Sequence, residues 1–236
     1  LFLVPFYTKG QMLVERFDGP EVTSSNNWTG DLADFIISDD HWLELVGDPE
    51  KKSSRIAIPI TYSKNMEWKF DVKLSFTDGN SSNSNHIRFE LLSDELSIVR
   101  LKQTYYVQIG SNNETISLRR LRETEDNAST LISEQFDPLK RESVALSIRV
   151  ILKDGKDWSL YAKEKDEDEY ILMGTCEREL EGELDFIESA IDCRYSKVKR
   201  GHFVDNVEIF GDASQDEPEE PEEPDYSPVS LESIDF

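Results

Sequence analysis

The stretch Glu67-Trp-Lys-Phe-Asp-Val-Lys-Leu-Ser-Phe76 decides the fold of this 236-residue chain. Its apolar side chains occupy every second position, namely Trp68, Phe70, Val72, Leu74 and Phe76. Polar side chains fill the positions between them. A pattern of period two places apolar residues on one face of a β-strand and polar residues on the other. The stretch therefore predicts a strand with one buried face and one solvated face.

The same alternation recurs along the chain, in residues 86–91, 144–152 and 158–163. Gly, Asn and Asp separate the alternating segments, as at Asp154-Gly155, because these residues adopt positive φ at low cost. The single helical candidate, residues 139–143, is too short to change the fold class. About a dozen short strands at regular spacing predict an all-β protein, a two-sheet antiparallel jelly-roll sandwich.

Composition divides the chain into three parts. Residues 1–11 begin without Met and are mostly apolar, so we interpret them as the remnant of a signal peptide; the alternative is an ordinary first strand. Residues 12–211 are the predicted jelly-roll domain. Residues 212–236 contain ten Asp or Glu, no Lys or Arg and a repeated Glu-Glu-Pro. This composition predicts an extended acidic linker that leads to a further domain.

The net charge of −23 argues against nucleic acid as a partner. Phosphate binding depends on clustered Lys and Arg, and the basic clusters here are short, as in residues 119–122 and 197–200. No segment approaches the roughly 20 apolar residues of a membrane span. A leader without a transmembrane segment predicts a secreted protein or one at the outer cell surface.

The two cysteines, Cys176 and Cys193, could form a disulfide in an exported protein. Such a bond would contribute about 3 kcal/mol by restricting the unfolded chain. The alternative is two separate buried thiols.

Metal ligands are sparse in the sequence. The three histidines are scattered, so they do not form a zinc site with the two cysteines. A structural calcium ion could bind at Asp39-Asp40 or at residues 78–80, since carboxylate and carbonyl oxygens suit it. The alternative at both places is a solvated turn, and we expect no other cofactor.

A set of short motifs carries a resemblance to a known family. The motifs are Glu15-Arg-Phe-Asp18, Trp28-Thr-Gly-Asp-Leu-Ala-Asp-Phe35, Tyr106-Val-Gln-Ile-Gly110, Trp158-Ser-Leu-Tyr-Ala162, Cys193-Arg-Tyr-Ser196 and Phe203-Val-Asp-Asn-Val207. Residues 12–211 resemble the N-terminal concanavalin A-like, laminin-G-like domain of secreted Bacteroidetes proteins that carry lamin-tail domains. The resemblance implies a jelly roll of two curved sheets at the cell surface or outside the cell. The chain departs from that family in its acidity and in the absence of a lamin-tail repeat.

One motif suggests catalysis. Glu183-Leu-Asp-Phe-Ile-Glu188 resembles the Glu-x-Asp-x-x-Glu strand of retaining β-glucanases. The resemblance implies Glu183 as nucleophile, Asp185 as the residue that orients it and Glu188 as acid/base, with the outer carboxylates about 5 to 5.5 Å apart. In the glucanases the motif lies mid-domain, whereas here little of the domain follows it. We therefore expect no enzyme activity, with Glu183 and Glu188 on opposite faces or at a strand edge.

Outward side chains on the long strands are the candidates for ligand binding. Alternation turns Arg88, Glu90, Tyr106, Gln108 and Arg149 away from the core. Aromatic and polar groups on one sheet face could bind an extracellular glycan or a surface protein. The alternative for Tyr106 is packing against a neighbouring strand. Three functions remain open at this point: a non-catalytic binding module, a glucanase-like hydrolase and a structural spacer.

Overall fold

Two antiparallel β-sheets pack against each other in the computed structural model, which describes residues 9–75, 85–94, 103–110, 114–122, 127–180, 186–196 and 201–212. Of residues 9, 186 and 187 only the backbone is described. Fifteen strands and two 3₁₀ turns occur in these ranges. The prediction of an all-β, two-sheet antiparallel sandwich is confirmed.

The first sheet has eight strands, and its central strands come from distant parts of the chain. Its spatial order is β13 (Ile171–Glu177), β12 (Asp157–Glu164), β11 (Ser143–Lys153), β6 (Met66–Ser75), β15 (His202–Asp212), β4 (Leu43–Leu45) and β3 (Phe35–Ile37). The eighth strand, β1 (Lys9–Glu15), also pairs with β15.

The second sheet has seven strands. Its spatial order is β10 (Ser129–Gln135), β9 (Thr115–Arg122), β8 (Gln103–Ile109), β7 (His86–Asp94), β14 (Phe186–Arg194), β5 (Ser53–Pro59) and β2 (Thr29–Gly30). Bulges interrupt the register between β7 and β14 on both sides of Glu188.

The core lies between the sheets and follows the predicted alternation. Within β6 the side chains of Trp68, Phe70, Val72 and Leu74 are all buried, and Phe76 lies outside the described residues. The inward residues of β7, β11 and β12 are buried in the same way. Phe70 stacks on Phe89 of the other sheet with ring centroids 3.9 Å apart. Burial of each such side chain stabilises the fold by about 1.5 to 3 kcal/mol.

Helical structure in the described residues is limited to two 3₁₀ turns, Leu32–Asp34 and Asp137–Lys140. The second turn overlaps the helical candidate at residues 139–143 and ends before β11 begins at Ser143. Among these residues no helix has the length and apolar character needed to cross a membrane.

The first and last described strands lie side by side. Lys9, Gly10 and Gln11 of β1 pair with Asp212, Gly211 and Phe210 of β15. These three residues therefore belong to the sheet. The assignment of residues 1–11 to a leader and of residues 212–236 to a linker stays a prediction.

Glu15, the last residue of β1, is buried and holds the segment that follows it. Its Oε1 accepts a hydrogen bond from the backbone N–H of Phe17 at 2.9 Å. Its Oε2 accepts from Asn26 Nδ2 at 2.8 Å and from Trp28 Nε1 at 3.2 Å. Hydrogen bonds to a carboxylate are stronger than those between neutral groups, so Glu15 ties residues 16–28 to the sheet.

The two cysteines are free thiols. Cys176 lies on β13 and Cys193 on β14, and these strands belong to different sheets. Burial raises the pKa of both thiols. The structure thus has two separate thiols where the sequence allowed a disulfide, and only Cys193 of the two is buried.

Candidate functional site

The outward face of the seven-stranded sheet carries two rows of side chains that run across five strands. The first row, from β5 to β9, is Arg55, Asp192, Arg88, Gln108 and Ser117. The second row is Ala57, Ala190, Glu90, Tyr106 and Arg119. Cβ atoms of directly paired residues lie about 4.5 to 5.5 Å apart. Residues that are far apart in the sequence thus become close neighbours.

A cavity of about 330 Å³, which we call the charged cavity, lies over these rows. Its lining consists of Arg55, Arg88, Glu90, Thr104, Tyr106, Leu121, Asp192 and Arg194. Sites for small ligands have volumes of about 300 to 1,000 Å³. The charged cavity combines guanidinium donors, carboxylate acceptors and an aromatic ring in such a space.

Of the five predicted binding residues, the structure brings four to this face. Arg88, Glu90 and Tyr106 line the charged cavity. Gln108 lies in the next position along the first row, where its Oε1 accepts a hydrogen bond from Arg119 Nη1 at 3.3 Å. Arg149 is not among them, because β11 belongs to the eight-stranded sheet.

Tyr106 points outward, as its position in the strand predicts, but it is only 2% exposed. The Cζ atom of Arg88 lies 5.2 Å from the centroid of the Tyr106 ring. This distance is typical of a cation–π contact. Arg88 therefore covers the ring, and a ligand that stacked on Tyr106 would have to displace the guanidinium group.

Arg55 is held by two carboxylates at the side of the charged cavity. Its Nη2 donates to Glu90 Oε2 and to Glu188 Oε1, each at 2.6 Å. Burial lowers the pKa of Arg55, but the hydrogen bonds and charges of Glu90 and Glu188 outweigh burial and raise that pKa above its ordinary value. The guanidinium group thus stays charged and fixed in place.

Asp192 provides a buried acceptor beneath the cavity. Its Oδ2 accepts a hydrogen bond from Arg194 Nε at 2.9 Å and lies 4.0 Å from Arg88 Nη1. Burial raises the pKa of this carboxyl group, while Arg194 and Arg88 partly offset the effect. The carboxylate orients both guanidinium groups toward the cavity.

Sequence reasoning missed Arg55, Asp192 and Arg194 as parts of the site. Arg55 alternates with buried Ser54 and Ile56 in β5, so the same rule of period two marks it as outward. Nothing local in the sequence shows that β14 lies between β7 and β5.

The glucanase-like motif is only partly described. Glu183 and Asp185 lie outside the described residues. Glu188 is on β14, and its carboxylate is paired with Arg55. The expectation that Glu183 and Glu188 lie on opposite faces or at a strand edge stays a prediction.

No group of three or more His, Cys, Asp or Glu that could hold a metal ion occurs in the described ranges. Asp39 and Asp40 are exposed in the turn between β3 and β4. The other calcium candidate, residues 78–80, lies outside those ranges.

No protein-family model matches the sequence, and no curated protein matches it. Solved structures do match the fold. The metal-free exoplasmic/lumenal domain of VIP36 aligns with a TM-score of 0.59 at 12% identity, over 86% of this chain and 92% of that chain. The fold is a lectin-like β-sandwich. Winged bean acidic lectin, in complex with methyl-α-D-galactose, aligns with a TM-score of 0.57 at 10% identity, over 85% of this chain and 98% of that chain.

A third similar structure is arcelin-5, a lectin-like defence protein from Phaseolus vulgaris. It has a TM-score of 0.55 at 13% identity and covers 86% of this chain and 97% of that chain. The VIP36 domain is also known in a form bound to Ca²⁺ and Man3GlcNAc. Two of these three neighbours are described as a lectin and a lectin-like protein. They confirm the concanavalin A-like part of the sequence resemblance, and the Bacteroidetes and lamin-tail context stays a prediction.

Proposed function

We propose that this domain is a non-catalytic carbohydrate-binding module and that its glycan binds in the charged cavity of the seven-stranded sheet. The observation that carries the proposal is the convergence of Arg88, Glu90, Tyr106, Asp192 and Arg194 on one space within a lectin-like fold.

The chemistry of the cavity suits a sugar. Sugar hydroxyl groups both donate and accept hydrogen bonds, so they need acceptors such as Glu90 and donors such as Arg88 in the same place. Carboxylate and guanidinium groups form hydrogen bonds roughly twice as strong as neutral ones. The apolar face of a sugar ring can pack against Leu121 and, once Arg88 moves, against Tyr106.

A glycan array followed by calorimetry tests the proposal. We expect the domain to bind a defined class of glycan, and we expect Arg88→Ala to weaken that binding about tenfold or more, equivalent to about 1.4 kcal/mol. Tyr106→Ala should weaken it as well, because the ring forms one wall of the cavity.

Arg149→Ala is the matched control, since Arg149 lies on the outward face of the other sheet. It should leave the affinity within about twofold, a difference of less than 0.5 kcal/mol. Glycan binding that is lost in Arg149→Ala and kept in Arg88→Ala would refute the proposed site. Absence of any glycan ligand would refute the function and favour a structural spacer.

We propose no catalytic role for Glu188. Its carboxylate is engaged by Arg55 at 2.6 Å, and an acid/base must be free to exchange a proton with the substrate. Incubation with β-glucans should release no reducing sugar. Release that disappears in Glu183→Gln would instead establish the glucanase-like alternative.

We also propose an extracellular, lumenal or outer-surface location, which the similarity to an exoplasmic/lumenal domain supports. Under this proposal the residues before β1 are the end of a leader, and the residues after β15 link the domain to another. Fractionation of cells that express the complete gene product would test the location. Retention inside the cytoplasm would contradict it.

A further inference from the structure

A second large cavity lies away from the charged cavity, at the edge where the two sheets meet. It has a volume of about 1040 Å³ and lies between residues 134–138 and residues 163–173. We call it the edge groove. One wall belongs to β10, the last strand of the seven-stranded sheet, and the other to β13, the last strand of the eight-stranded sheet.

The strands β10 and β13 approach each other closely beside the edge groove. At Gly174 the strands are so close that a Cβ atom there would lie 2.8 Å from Ile132 Cγ2. Gly174 has φ +153°, a conformation that glycine adopts without strain. A larger residue at position 174 would therefore push β13 and β10 apart at this contact.

The apolar part of the groove is unusually exposed. Ile171 is 58% exposed and Leu172 is 53% exposed, and the only other exposed large hydrophobic side chain in the described ranges is Ile36. Pro138 and the buried side chains of Phe136 and Met173 also contribute to the lining of the groove. Adjacent exposed apolar residues on one strand are typical of an interaction site.

The backbone of β13 adds a second binding feature. Among the described strands β13 pairs only with β12, so its other side offers N–H and C=O groups to a further strand. Edge strands usually carry Lys, Pro or inward charges that prevent such pairing. The sequence of β13, Ile-Leu-Met-Gly-Thr-Cys-Glu, contains neither Lys nor Pro.

Charge identifies the occupant. The groove is lined by the carboxylates of Glu134, Asp137, Glu164, Glu167, Asp168 and Glu169, with Lys163 as the one basic side chain. Two of these carboxylates are neutralised within the chain, Asp137 by Lys140 and Glu164 by Arg141. The other four have no salt bridge to a described residue.

We propose that the edge groove binds an extended segment of a partner protein in which basic and apolar side chains alternate, and that this segment adds a strand to β13. Its backbone would pair with β13, and its Lys or Arg side chains would meet the carboxylates. Ile171 and Leu172 point to opposite faces of β13, so the apolar side chains of the segment would cover the one that lies on their own face. A second copy of the chain is disfavoured, because two grooves of the same negative charge would face each other. The acidic residues 212–236 are disfavoured for the same reason.

The test uses a fluorescein-labelled peptide, Lys-Val-Lys-Leu-Lys-Val-Lys, whose length equals that of β13, and measures fluorescence anisotropy in physiological salt. Two reference peptides accompany it. One replaces both valines by proline, which keeps the charge but prevents strand pairing. The other replaces every lysine by glutamate. We expect the first peptide to bind and both reference peptides to bind at least about tenfold more weakly.

Matched variants locate the binding. Glu167→Gln with Glu169→Gln removes two charges from the groove, and Asp39→Asn with Asp40→Asn removes two exposed charges from the turn between β3 and β4. We expect the first pair to weaken binding about tenfold and the second pair less than twofold. Ile171→Ser with Leu172→Ser should weaken binding with no change in net charge. Glycan affinity should stay the same in all of them, because the charged cavity lies on the other sheet.

Four results would overturn the proposal. The first is an equal loss of peptide affinity in the two charge variants, and the second is binding of the proline peptide as tight as that of the alternating peptide. The third is no binding of the alternating peptide. The fourth is a dimer of the free chain that Leu172→Lys dissociates. The last result would assign the groove to a second copy.

Discussion

The outward faces of the two sheets are built from similar residues but arranged differently. On the eight-stranded sheet, Lys73 Nζ lies 4.6 Å from the centroid of Phe203, and Lys165 Nζ lies 4.3 Å from that of Trp42. Arg149 donates to Glu67 at 2.6 Å. Each of these cations thus has an aromatic or acidic neighbour within its own sheet.

On the seven-stranded sheet three guanidinium groups, those of Arg55, Arg88 and Arg194, meet a single aromatic ring, that of Tyr106. Each of these cations also has an acidic neighbour, but all three border one common space, the charged cavity. The difference indicates that charge and aromatic content alone do not make a binding surface. What differs is the placement of the paired cations, since on the seven-stranded sheet three of them line one cavity.

The strongest effect should come from Arg55→Ala. This change leaves the Glu90 and Glu188 carboxylates near each other without a counter-charge. Removing one partner of a buried ion pair costs about 3 to 5 kcal/mol, and partial solvent access should reduce the cost here to about 2 kcal/mol. Urea unfolding followed by tryptophan fluorescence measures the loss, and calorimetry should show that glycan binding is lost as well.

Arg55→Lys is the control for this change. It keeps the positive charge, so most of the stability should remain. A loss of stability below about 0.5 kcal/mol in Arg55→Ala, the range of an ordinary surface substitution, would mean that the network contributes little.

The matching change on the other face is Lys165→Met. Lys165 Nζ lies 2.8 Å from Asp71 Oδ2 and 3.7 Å from Asp205 Oδ2, and these two aspartates are directly paired between β6 and β15. Methionine keeps the apolar stem over Trp42 and removes only the charge. We expect a loss of about 1 to 2 kcal/mol in the free energy of unfolding.

Glycan affinity in Lys165→Met should stay unchanged, because this face has its own closed network. A parallel loss of glycan binding would show that the two faces are coupled. That result would remove the distinction between a structural face and a binding face.

The smallest effect should come from Asp205→Asn, and it depends on pH. Burial raises the pKa of Asp205, and Asp71 adds to the effect while Lys165 opposes it. A carboxyl group with a raised pKa in the folded state binds its proton more tightly there than in the unfolded chain. The folded state therefore loses stability as the pH rises from the ordinary aspartate value through the raised one.

Asparagine does not titrate, so Asp205→Asn should be slightly more stable than the parent at neutral pH, by less than about 1 kcal/mol. The difference should disappear in acid, below the ordinary aspartate pKa. Thermal unfolding between pH 3 and pH 8 measures it. A stability difference that grows toward low pH would contradict the assigned cause.

The alternation of apolar and polar residues predicted the strands and the direction of their side chains. The residues of β6, from Trp68 to Leu74, alternate regularly because each strand is buried on one side, and the same rule found Arg88, Glu90 and Tyr106 as outward residues. The rule gives the direction of a side chain but not the sheet to which its strand belongs. For this reason it grouped Arg149 with residues that lie on the opposite side of the molecule.

Strand neighbours are set by pairings between distant segments, which no local pattern encodes. Arg55 and Asp192 become partners only because β5 pairs with β14. The disulfide hypothesis had the same weakness. Cys176 and Cys193 are close in the sequence, yet the chain crosses from one sheet to the other between them.

The position of β15 has a consequence for the order in which the domain can assemble during synthesis. This strand contains the last described residues, and it is inserted between β6 and β4 while β1 pairs with it as well. The ribosome must therefore release residues 202–212 before the eight-stranded sheet can close. Until then the edge of β6 that pairs with β15 is open. The hydrogen bonds between β1 and β15 then link the two ends of the domain. Such distant pairings make folding slow, and until β15 is in place the unpaired edge of β6 is a site where another strand could pair.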